Sequence, residues 1–118
     1  MATYQEAFDE FTKEMNAIGY HYHEELFHEV TKHLGPSIHD KDASIVACSD
    51  PKELKTVKEN FLMGRLGLED SPELDDAIQQ VCRALGESNR RKHRATFYYL
   101  LVAILGKEHE FVNAPREV

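Results

Sequence analysis

The sequence predicts an all-α fold: one compact domain of about five helices packed around a buried C-terminal central helix. Three observations carry that prediction. Apolar residues recur at the i, i+3, i+4, i+7 spacing of a helix in every long segment. Glycines and prolines, several of them beside a Ser or Asp suited to capping, cut those segments to helix length. No segment shows the period-two alternation of a strand. At 118 residues the chain has the length of a single domain that can bury a core without metal or disulfide help.

The first helix is expected over about residues 3–18, with Tyr4, Ala7, Phe8, Phe11, Met15 and Ile18 on one face and Gly19 ending it. The second spans about 22–34, turns Leu26, Phe27, Val30 and Leu34 inward, and stops at Gly35-Pro36. Residues 35–50 are the least regular; a short helical turn near Asp42 fits them, whereas a strand would have no partner elsewhere. The third helix covers about 51–65, capped by Ser49 or Asp50 with Pro51 at the first position, and packs Leu54, Val57, Phe61 and Leu62. The fourth, about 72–85, enters by the same device and carries the stripe Leu74, Ala77, Ile78, Val81, Cys82 and Leu85.

The fifth helix organises the rest. From Ala95 to Leu105 it is apolar on all sides except for Thr96 and two phenol hydroxyls, as a buried helix is. Phe97, Leu101 and Ile104 are expected in the core. The run is shorter than the roughly 18 residues a membrane span needs, so no membrane role is expected. Ser88 or Asn89 is read as its cap and Gly106 as its end, leaving residues 107–118 as a loosely docked tail held by Phe111 or Val112.

The formal net charge of −7 argues against nucleic-acid binding by the whole surface. The charge is uneven, with an acidic start (Glu6, Asp9, Glu10, Glu14) and a basic late segment that could meet it. Cys48 and Cys82 form no C-x-x-C pattern, which predicts free thiols and a cytoplasmic protein. The opening MATYQEAFDEF lacks the basic and apolar regions of a secretory signal.

Four groups of residues could carry chemistry. His21, Glu25 and His28 would share a face if helical, and Glu25-x-x-His28 has the spacing of a di-iron ligand pair. The second pair such a site needs is missing, and the face points to water, so no metal or other cofactor is expected. Cys48 lies ahead of a helix N-terminus near His39, but neither an orienting group nor an oxyanion hole can be read beside it. Asp40-Lys41-Asp42 opens like a calcium loop, yet Ile45 and Pro51 occupy positions that need glycine and a bidentate acid.

The basic head of the fifth helix is the strongest candidate. Arg90, Arg91, Lys92 and Arg94 would oppose the helix dipole at its N-terminus and call for compensation. Acidic residues at the start of helix four (Glu69, Asp70, Glu73, Asp75, Asp76) or on helix one could provide it. So could a phosphate-type anion held by Ser88, Asn89, Arg90, Arg91 and Arg94. Arg94, next to the apolar run, is expected to be partly buried and paired to a carboxylate, with Arg91 and Lys92 turned to solvent.

At residues 34–68, with GPSI, DASIVACSD and ENFL, and at 81–107, with SNRRKHRATFYYLL, the chain resembles a family of small bacterial proteins classed as a domain of unknown function. His93 stands where that pattern leads us to expect an aromatic residue. The resemblance implies a small helical cytosolic protein and attaches no activity, substrate or catalytic residue. With no complete catalytic constellation, the expected function is binding of a protein partner or self-association. Anion or nucleic-acid binding at the basic head is one alternative; a metal- or Cys/His-dependent enzyme is the other.

Overall fold

The computed structural model describes residues 3–40, 43–86, 88–89 and 92–111. Helix α1 (Tyr4–Ala17) starts where the Thr3 hydroxyl accepts from the Glu6 backbone amide and the Glu6 carboxylate accepts from the Thr3 backbone amide, so two orphan amides are satisfied at once. It buries Ala7, Phe8, Phe11 and Met15, the stripe read from the sequence. Helix α2 (Glu24–Leu34) buries Leu26, Phe27, Val30 and Thr31, and a tight 3₁₀ turn over Gly35–His39 follows it. Helix α4 (Pro72–Ala84) buries Leu74, Ala77, Ile78, Val81 and Cys82.

The third helical segment differs from expectation. Helix α3 proper is Pro51–Thr56, capped by the Asp50 carboxylate, and from Val57 to Arg65 the chain widens into a π-helix. The apolar pattern explains the widening. Val57, the pair Phe61 and Leu62, and Leu66 are all buried, and two turns must therefore span the nine positions from 57 to 66. That needs about 4.5 residues per turn, close to i→i+5 winding and well above the 3.6 of an α-helix.

Helix α5 (Arg94–Ile104) is central as expected. It packs against α1, α2 and α4, and every residue from Ala95 to Val102 is buried. Phe97 and Leu101 are fully enclosed, but Ile104 is 44% exposed, although its neighbours Ala103 and Leu105 pack against the core.

The helix also starts later than the sequence suggested. Gly86, at φ +99°, turns the chain, and the Asn89 amide closes back onto the Gly86 carbonyl at 3.0 Å. Lys92–His93 is then an extended pair, β2, lying antiparallel to β1 (Ile45–Val46), with Ile45 opposite His93 and Val46 opposite Lys92. The irregular stretch thus contains a strand after all, and its partner lies in the segment read as the head of helix five. Asp42 and its proposed helical turn fall outside the described residues.

The cysteines are not free: Cys48 and Cys82 form a disulfide that ties the turn after β1 to α4. The core is one continuous cluster drawn from α1, α2, the π-helix, α4 and α5. No helix among the described residues is long and apolar enough to cross a membrane.

Candidate functional site

The segment leading into α5 gathers most of the buried polar chemistry. Arg94 is the first residue of α5, and its backbone amide donates to the Ser44 carbonyl at 2.6 Å. Its side chain, only 13% exposed, uses all three guanidinium nitrogens. Nε donates to the Ala43 carbonyl (2.6 Å), Nη1 to the Tyr98 hydroxyl (3.1 Å), and Nη2 to the Ile45 carbonyl (3.2 Å) and Glu53 Oε2 (2.8 Å). Burial works against the charge here, but the bonds to Glu53 and Tyr98 outweigh it and hold the guanidinium pKa above its ordinary value. Arg94 is thus half-buried and paired to a carboxylate. The acid comes from α3, neither from the start of α4 nor from α1.

The acids at the entry to α4 serve another cation: Asp70 and Asp75 both hold Lys58, at 2.7 and 3.2 Å. Helix α1 does meet the late segment, through Glu14. Glu14 Oε1 accepts from the His93 amide (3.2 Å) and lies 3.0 Å from His93 Nδ1, while Oε2 accepts from Asn89 Nδ2 (3.0 Å). Glu14 and His93 are 9% and 12% exposed, so this is an interior tie between the first helix and the turn before the last.

Asn89 and Lys92 also line a cleft of about 390 Å³, with Val46, Ala47, Cys48, Ser49 and Ser88. Lys92 was expected in solvent and is instead 4% exposed; its ammonium donates to the Asn89 carbonyl at 2.6 Å. The expected anion cradle is therefore rearranged. Ser88 and Asn89 border the cleft, Arg94 is committed to Glu53, and Arg90 and Arg91 lie outside the described residues. The sequence reading turns Lys92, with Arg91, to solvent. Because it pairs with Val46 in a two-residue strand, no periodicity signals that it turns inward.

The other candidates are dispersed. His21 precedes α2 and does not share a helical face with Glu25 and His28. His21 and Glu25 are exposed, whereas His28 is half-buried and stacks on Phe8 at 3.9 Å, with Nδ1 2.8 Å from the Tyr4 hydroxyl. Among the described residues no three His, Cys, Asp or Glu side chains are grouped to hold a metal ion. His39 is exposed, and the disulfide removes Cys48 as a nucleophile beside it. The C-terminal turn docks as expected through Phe111, which packs on Phe61 and His33 with Arg65 4.5 Å over its ring. Val112 falls outside the described residues.

Fold and site together define a small all-helical protein whose buried charges chiefly fasten the entry to its central helix. The chain belongs to the family described as "Protein of unknown function (DUF2853)", which matches residues 10–109. No curated protein matches it. The family's description names no activity, and nothing among the described residues points to catalysis.

Proposed function

We propose that the protein is a non-catalytic helical domain that acts in the cytoplasm by binding a protein partner or a second copy of itself. One observation carries this reading. The side chains best suited to chemistry are occupied with one another: His93 with Glu14, and Arg94 with Glu53 and Tyr98. Active sites instead keep such groups poised in a cleft with capacity to spare. Among the described residues, Tyr20 and Ile104 are the large apolar side chains left exposed, at 38% and 44%.

The test is purification of the native complex from its host after cross-linking, repeated with Tyr20→Ser/Ile104→Ser. Specific recovery of a partner, or of a dimer, that is lost in the variant without loss of melting temperature supports the reading. A chain that stays monomeric and returns nothing overturns it. The cytoplasmic location has its own condition, because cytosolic thiols are held reduced. Alkylation before lysis should then find Cys48 and Cys82 at least partly modified, and a fully bonded pair in the cell would exclude that compartment.

A further inference from the structure

We propose that the cleft between β1 and the Ser88–Asn89 turn binds a small molecule through an oxyanion group, carboxylate or phosphate, with the Lys92 ammonium as counter-charge. This goes beyond the partner-binding reading and stands or falls separately from it.

The case begins with an imbalance. Lys92 is 4% exposed, yet its partner is a neutral carbonyl, Asn89 O at 2.6 Å. Two half-buried cations have carboxylates instead: Arg94 has Glu53, and Lys58 has Asp70 and Asp75. A buried ammonium without a counter-ion retains its desolvation cost. It also carries three donors, of which the Asn89 carbonyl takes one.

The cleft is suited to supply what is missing. Among the described residues its lining contains no carboxylate; Ser49 and Ser88 offer hydroxyl donors, and Val46 and Ala47 offer an apolar wall. Of the two acids that adjoin the lining in sequence, Asp50 is engaged in capping α3 through the Lys52 amide at 3.0 Å, and Glu87 lies outside the described residues. A volume of about 390 Å³ falls within the range of small-molecule sites and leaves room for an organic body behind the charged group. The same chain carries −7 overall, which repels a polyanion at long range but leaves a small, short-range anion little affected. A nucleic acid is therefore the wrong partner for this lysine.

The experiment is an amide NMR titration of the oxidised protein at low salt with inorganic phosphate and, separately, with acetate, using sodium chloride as control. Saturable shifts centred on Ser49, Ser88 and Lys92 are expected with at least one of the two anions. Phosphate alone would assign a phosphorylated ligand, and acetate alone a carboxylate. Lys92→Met should weaken that binding by about tenfold or more, as loss of a charge-assisted bond does. Shifts that match the chloride control, that fail to saturate, or that persist unchanged in Lys92→Met overturn the proposal. If Lys92→Met does not fold, Ser49→Ala/Ser88→Ala decides: a severalfold loss of affinity supports the site, and undiminished affinity refutes it.

Discussion

Arg94 shows how much of this fold can rest on one side chain. Its guanidinium joins the carbonyls of Ala43 and Ile45 to the Glu53 carboxylate and the Tyr98 hydroxyl, so it bridges the irregular segment, α3 and α5. Removing it leaves two carbonyls and a carboxylate facing a half-buried hole. Arg94→Ala should therefore cost about 2 kcal/mol or more in a urea unfolding experiment, as breaking a desolvated ion pair does. Arg94→Lys should recover only part of the loss, because a single ammonium cannot serve four acceptors in a plane. Glu14 plays the matching role on the other side. Glu14→Ala would strand the His93 amide, and the Asn89 side chain would lose one of its acceptors. The expected loss is about 1–3 kcal/mol, the cost of buried donors left unmade. A loss no larger than that of an exposed control, Glu10→Ala, would show that the tie is ornamental.

Among the elements, α1 and α4 were legible in the sequence almost residue by residue. Each has one apolar stripe, a cap or an N-terminal proline, and a glycine soon after its end. The start of α5 was not legible. Ser88 and Asn89 are good capping residues, and two-residue strands such as β1 and β2 are too short to carry a period. Their pairing was decided by what Arg94 and Glu14 reach, which linear spacing does not encode. The widening of the third helix was readable in principle from the nine-position interval between Val57 and Leu66, but an α template absorbs such a pattern over a single turn. This element also positions Phe61 to stack on Tyr98 at 3.9 Å, which links it to the central helix. Burial raises the Tyr98 pKa against the lowering effect of Arg94, and likewise raises that of Tyr99, whose hydroxyl accepts the His23 amide at 2.8 Å. The unfolded chain, with ordinary phenols near 10.0, would then release these protons first. Their contribution is complete below that value and declines as pH rises through and beyond it. Urea midpoints followed into the alkaline range should fall, and fall less steeply in Tyr99→Phe.

At the scale of the whole molecule, the disulfide is the feature that sequence reasoning placed wrongly. Two cysteines separated by 34 positions carry no spacing signature, and only the fold brings the turn after β1 against α4. A cross-link of that span should contribute about 3–4 kcal/mol by restricting the unfolded chain. Reduction should lower the unfolding free energy by that amount while leaving the helical circular dichroism of the folded state intact. An unchanged urea midpoint after full reduction would contradict this. The same cross-link sets how the molecule answers to force. Pulled from its two ends, the oxidised chain transmits tension directly from Cys48 to Cys82, so α3, the π-helix and most of α4 bear no load. The 34-residue span, less the 6.1 Å the bonded pair still bridges, is withheld from the extension, which should fall short by about 105–115 Å until a reductant opens the bond and releases the hidden length.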